Sequence, residues 1–357
     1  MPDQLEPEII AFLEARHGDG AARAIQRSPL ASADSATGAT LERLLLPGTL
    51  DGPARYVVKR LRRGGDWIGR ATGDERLREA QLAASGIFRS LPDGVGTALV
   101  GQVALSDGSA ALVMHDVSSA LAPPGDDPLT EEQLVRSLQA LARLHAAFRG
   151  FPARLTSGLG LCALGPWLTL LAPGTARREA RGEPRDPVTP LILPGWEAFA
   201  RLAPEAWVLV EPLLDDPAPL VAALRACPDT LVHGDAKAGN LGFTPEHVIL
   251  LDWGLTLRGP GALDLGCYLA VNSARLGVPR AEAIETYRAA RERIGRLPAS
   301  GELWERELAL ALLAGTLRLG WAKALGASSD DVAVRAREQA EVAYWAEAAL
   351  AARRWLA

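Results

Sequence analysis

The stretch from 230 to 243, TLVHGDAKAGNLGF, sets His233, Asp235, Lys237 and Asn240 close together between two apolar runs. One reading makes it a solvated turn between strands, with Lys237 in water and His233 a satisfied core histidine. The other makes it a loop that handles phosphate and a metal ion. A second apolar run, HVILLDWG (247–254), ends in Asp252 and bears on the choice. Two short strands would deliver Asp235, Asn240 and Asp252 to one end of a small hairpin.

Phosphoryl transfer from a nucleotide needs a carboxylate to orient the attacking hydroxyl and accept its proton, and oxygen ligands for Mg2+ on the phosphates. Asn240 falls five residues after Asp235, and Asp252 twelve after Asn240. That spacing matches the catalytic loop and metal aspartate of protein-kinase chemistry, H-R-D-x-x-x-x-N followed by D-F-G. Asp235 is then the candidate base and Asn240 and Asp252 the candidate metal ligands. Lys237 would neutralise charge on the transferred group.

The 357 residues suffice for two domain-sized cores, and 48% hydrophobic content can fill them. A net charge of −5 without long runs of one sign gives no nucleic-acid footprint. Cys162, Cys227 and Cys267 have no paired or metal-ligand spacing, which fits a reducing compartment. The first twenty residues show no signal peptide or membrane span, so a cytoplasmic protein without membrane partners is expected.

Residues 7–26 suit an amphipathic helix. Residues 40–46 and 55–61 read as a hairpin across PGTLDGP. Thr72 and Glu75 form a capping-box pattern for a helix striped by Leu77, Ala80, Ala84 and Ile87. Two further strands follow, GTALVGQVAL and SAALVMHDV. Residues 130–148 open a helical region with a Thr130 cap. An irregular, Pro- and Gly-rich connection is expected over 151–190, and helices beyond it and through 279–357. The fold class is α+β, with a small sheet lobe (1–114) for nucleotide and a larger, mainly helical lobe (115–357) for catalysis and substrate.

VHGDAKAGNLGF and VILLDWGLTLRGPGALDLG resemble the aminoglycoside phosphotransferase and choline kinase superfamily, ATP-dependent small-molecule kinases of protein-kinase-like fold. The resemblance implies ATP and Mg2+ as cofactors and an upstream lysine, for which YVVKR offers Lys59. A lysine ending an exposed strand is the plain alternative. Its implied partner is a helix glutamate. Glu79 is preferred, because the capping box already uses Glu75. The backbone of His115 and Val117 would meet a purine at the hinge. Asp264 would tie down the catalytic loop, with His233, as supporting structure, or else cap a helix beginning at Leu265. The nucleotide-covering loop departs from the family's glycine-rich pattern: SADSATGATLE offers Gly38 alone.

Asp252 and Asp264 are separated by twelve residues, a length consumed in reaching the next helix, and Gly234 stands where a regulatory arginine would sit. A small-molecule hydroxyl substrate is therefore favoured over a protein. Trp167, Trp196, Trp207, Trp304 and Trp321 could stack on a cationic amine, but any one of them is better explained by helix packing. The alternative class is a nucleotide-binding pseudokinase acting as sensor or scaffold, suggested by the poor glycine loop.

Overall fold

The computed structural model describes residues 5–30, 40–47, 49, 52–150, 158–181, 186–295 and 301–356. Gly38 and its flanking residues lie outside them.

Helix α1 (Pro7–His17) starts with proline in its first turn, where a missing N–H costs nothing, and stops at Gly18, whose φ is +95°. The expected helix to residue 26 is therefore too long. A left-handed glycine ends it, and the chain turns into strand β1 (Gln26–Pro29). Strands β2 (Thr40–Leu46) and β3 (Ala54–Leu61) form the expected hairpin. With β5 (Leu99–Ala104) and β6 (Ala110–His115) they make an antiparallel sheet of order β1-β2-β3-β6-β5.

Side-chain alternation along β3 sorts its residues. Tyr56 and Val58 join Ile9 and Leu13 of α1 in one core, while Val57 and Lys59 take the opposite face.

Between β3 and β5 lie helices α2 (Trp67–Ala71) and α3 (Arg78–Ser85). The capping box expected at Thr72 and Glu75 does not form. Thr72 ends α2 and its hydroxyl donates to Ile68 O. The carboxylate of Asp74 instead accepts from Arg78 N at 2.8 Å, starting α3 later than expected. Strand β4 (Val95–Gly96) leaves this sheet and runs parallel to β9 (Val248–Leu250), which pairs antiparallel with β8 (Leu241–Phe243).

The larger lobe opens with α4 (Glu131–Ala147), whose Thr130–Gln133 capping box is present on both sides. The connection expected to be irregular carries α5 (Leu164–Leu168) and α6 (Pro173–Glu179). Then come α7 (Thr189–Leu202), α8 (Pro204–Asp215) and α9 (Ala218–Arg225). Strand β7 (Thr230–Val232) pairs with β10 (Leu257–Gly259), not with β8. Helices α10 (Ala262–Val271), α11 (Arg280–Arg293), α12 (Gly301–Gly326) and α13 (Val332–Ala352) complete the lobe.

Helix α12 is long and apolar enough to cross a membrane, yet its most apolar window is 67% buried against neighbouring helices, as a core helix would be. Trp167, Trp196, Trp304 and Trp321 are buried. The cations above two of these rings belong to the chain itself, Arg318 over Trp167 and Arg291 over Trp304. Packing accounts for these tryptophans.

Candidate active site

Lys59 is where the two lobes meet. Its Nζ donates to Glu79 Oε2 and to Asp252 Oδ1, each at 2.8 Å. Glu79 sits in the first turn of α3, and its other oxygen accepts the Trp253 N–H at 3.2 Å. Glu75, by contrast, is exposed on the preceding turn. Burial opposes the charge on Lys59, but Asp252 and Glu79 outweigh it and the ammonium pKa rises. Burial also works against ionised Asp252, yet Lys59 holds its carboxyl down at about 2. Glu79 is pushed up by burial, with Lys59 opposing. Asp252 adopts φ +60°, a left-handed conformation costing a non-glycine residue about 1–3 kcal/mol, which its ion pair to Lys59 helps hold.

The hairpin β8–β9 delivers Asn240 just before its first strand and Asp252 just after its second, and Leu251 N–H donates to Asn240 O at 2.9 Å. Asp235 is not on that hairpin. It follows β7, whose partner is β10, so the three residues arrive from two separate strand pairs. Asn240 Nδ2 joins them, donating to both the carbonyl and Oδ2 of Asp235 at 2.9 Å. Lys237 Nζ lies 4.0 Å from Asp235 Oδ2.

Asp264 is wholly buried in the first turn of α10, a helix that begins at Ala262 and not at Leu265. Its carboxylate accepts the backbone N–H of His233 at 2.7 Å and of Gly234 at 2.8 Å. It also meets His145 Nε2 at 2.9 Å, while His145 Nδ1 meets Tyr287 OH at 2.7 Å. A carboxylate only accepts, so Nε2 carries a proton; in the neutral ring Tyr287 donates to Nδ1. Burial works against the Asp264 charge, but the hydrogen bond from His145 prevails and its pKa falls.

Gly234 has φ +84°, and a Cβ there would stand 2.3 Å from Leu255 O. Only glycine fits that turn. Its carbonyl accepts the indole N–H of Trp167 at 3.0 Å. The peptide leading into Asp235 is thus held on both sides. His233 is buried, and its Nδ1 accepts the Asp235 N–H at 3.3 Å.

At the lobe junction, His115 N–H already donates to Ala98 O at 2.8 Å and its ring stacks on Tyr56. His115 therefore has only its carbonyl to offer a purine. Asp116 is tied to Arg43 of β2 at 2.7 Å.

Asp252 and Asn240 supply hard oxygen atoms of the kind Mg2+ takes. Among the described residues no group of three His, Cys, Asp or Glu is placed so as to hold a metal ion by itself. The segment from Asp252 to Asp264 is filled by a 3-10 turn (Trp253–Leu255), β10 and the start of α10. There is no room in it for an activation loop.

Arg78, His145 and Arg318 were not singled out by sequence, and Trp167 was named only among five rings better explained by helix packing. They act through tertiary contacts between segments far apart in the chain. The one local sign is GDW at 65–67, where Asp66 caps α2 by accepting Gly69 N–H and sits near Lys59 and Asp252.

These features define a two-lobed, protein-kinase-like fold in which Lys59, Glu79 and Asp252 meet at the lobe junction. The chain belongs to the phosphotransferase enzyme family, whose model matches residues 48–310. Among solved structures it is similar to a microcompartment-associated aminopropanol kinase (17% identity, 96% of this chain and 94% of that one, TM-score 0.50). It is likewise similar to the GDP complex of aminoglycoside 2'-phosphotransferase-IIIa (14% identity, 96% and 99%, TM-score 0.50). A choline kinase from Cryptosporidium parvum Iowa II shares 13% identity over 96% and 94%, at TM-score 0.48. At these identities the likeness is one of fold. No curated protein matches by sequence.

Proposed function

We propose that the protein transfers the γ-phosphoryl group of ATP to the hydroxyl of a small molecule, with Mg2+. The observation that carries this reading is Lys59, 2.8 Å from both Glu79 and Asp252, together with the hydrogen-bonded pair of Asp235 and Asn240. Lys59 would contact the nucleotide phosphates, and the His115 carbonyl and Val117 N–H would meet the purine. Asp235 would orient the acceptor hydroxyl and take its proton as the oxygen bonds to the γ-phosphorus and the bond to the β-phosphate oxygen breaks, releasing ADP. Mg2+, held by Asp252 and Asn240, would offset charge on the phosphates. Lys237, beside Asp235, would add positive charge near the transferred group.

The test is an ADP-release screen of the purified protein with Mg·ATP across amino alcohols, aminoglycosides, sugars, nucleosides and hydroxy acids. Turnover with any of them supports the reading. Tight Mg·ATP binding without ADP release from any acceptor would instead favour a nucleotide sensor.

A further inference from the structure

Arg318 of α12 is a buried cation without a carboxylate. It is 5% exposed. Its Nη1 donates to Trp167 O at 2.9 Å, its guanidinium carbon lies 5.0 Å over the Trp167 ring, and its Nε is buried with no partner. Other buried cations are either paired with acids, as Arg291 is with Glu307, or spend Nε and their terminal nitrogens on carbonyls, as Arg78 does on Gly160, Gly254 and Thr72 and Arg275 on Asp127 and Pro123, whereas Arg318 makes one such bond and leaves Nε unmatched. Among the described residues no acid lies within ion-pair reach of Arg318. A desolvated, unpaired guanidinium is costly, and buried charges are ordinarily matched by an opposite charge.

Its position connects it to the reaction. Trp167, whose carbonyl and ring face Arg318 holds, donates its indole N–H to Gly234, the residue before Asp235. Arg318 therefore lies one ring away from the catalytic loop. The acids of the neighbouring segment form no ion pair with Arg318. Glu179 is paired with Arg70, Asp186 caps α7, and Glu197, Glu205 and Glu211 face solvent.

We propose that the alcohol phosphorylated at this site carries an anionic group, carboxylate or phosphate, and that Arg318 receives it. This rests on the kinase reading above. A guanidinium gives two parallel hydrogen bonds to either anion, and the Trp167 contacts pre-orient it.

The experiment measures ADP release by the full-length protein with three acceptor sets: hydroxy acids (glycerate, serine, homoserine), amino alcohols (ethanolamine, 1-amino-2-propanol) and neutral polyols (glycerol, ribose). Glycerol 3-phosphate separates phosphate from carboxylate recognition. Turnover is expected with anionic acceptors, and Arg318→Met should raise their KM by roughly 10- to 100-fold, the loss of a charge-assisted hydrogen bond, with KM for ATP unchanged. Arg318→Lys should recover part of that loss. Preference for amino alcohols or polyols, or an unchanged acceptor KM in a folded Arg318→Met variant, overturns the assignment and leaves the kinase reading standing. If that variant does not fold, the acceptor preference of the unaltered protein decides. If no acceptor releases ADP, the kinase reading fails, and tryptophan-fluorescence titration with glycerate and glycerol 3-phosphate decides the anion site by itself. Saturable quenching that Arg318→Lys weakens keeps the site, and no quenching removes it.

Discussion

Asp252 combines a left-handed backbone with a carboxylate held at about 2 by Lys59. Its charged form is favoured in the fold relative to the unfolded chain, where the ordinary value is 3.8. The resulting stabilisation is complete above about pH 4 and is lost as pH falls through about 2. Asp252→Asn removes that contribution while keeping a residue that tolerates the left-handed conformation. The difference in unfolding free energy between the two proteins, from urea titrations, should therefore be largest near neutrality and shrink between pH 4 and pH 2. A constant difference would mean that Lys59 does not favour the ionised form. Asp235 is tested by activity instead. Asp235→Ala should lower kcat by roughly 10²- to 10⁴-fold, the usual worth of a general base, while calorimetry shows Mg·ATP binding retained. Unchanged turnover would remove Asp235 from the role of base.

Among the elements, those set by local pattern were legible in the sequence. The hairpin of β2 and β3, the capped helix α4 and the loop between β7 and β8 all follow from alternation, capping residues and turn residues close in the chain. The start of α3 was misread because two residues satisfied a capping pattern that the chain does not use. Asp74 reaches Arg78 N first, behind Leu77 in a left-handed conformation. Sequence cannot rank such competing local caps, since tertiary packing of α3 against the cleft decides between them. Lys59, Glu79 and Asp264 were named through the family resemblance, and the structure pairs Lys59 with Glu79 and sets Asp264 against the backbone of His233 and Gly234. Trp167 and Arg318 carry no motif. Their importance comes from a ring edge against Gly234 and a guanidinium without an acid. Helix crossings are equally invisible in sequence. Where α10 passes α12, a Cβ on Gly266 would stand 2.2 Å from Ala311 O, and one on Gly315 would stand 2.8 Å from Gly266 O. Backbone cannot yield as a flexible side chain does, so Gly266→Ala should cost about 1–3 kcal/mol or more in urea unfolding. Because Asp264 lies on the same helix two residues earlier, kcat should fall as well. Full stability in that variant would contradict the close crossing.

In the whole molecule the lobes are joined by more than a hinge. Trp67 of α2, which follows the sheet strand β3, is buried in the hydrophobic core of the helical lobe, the cluster that also holds Trp167, Leu168 and Leu171. Two arginines also cross the junction, and physical chemistry separates their importance. Arg70 pairs with Glu179 at 2.7 Å near the surface, where water screens the charges and such a pair is worth about 0–1 kcal/mol. Arg78 is buried, and its guanidinium donates to the carbonyls of Gly160 and Gly254, the latter two residues after Asp252. Removing it strands carbonyls that no water replaces, at about 1–3 kcal/mol each. Arg78→Met should therefore destabilise the protein by about 2–5 kcal/mol and lower kcat, because the loop carrying Asp252 loses its tether to α3. Arg70→Ala should leave both nearly unchanged. Urea titration and single-turnover rates of the two variants check this, and the reverse order would mean that the surface pair, not the buried fork, holds the cleft together.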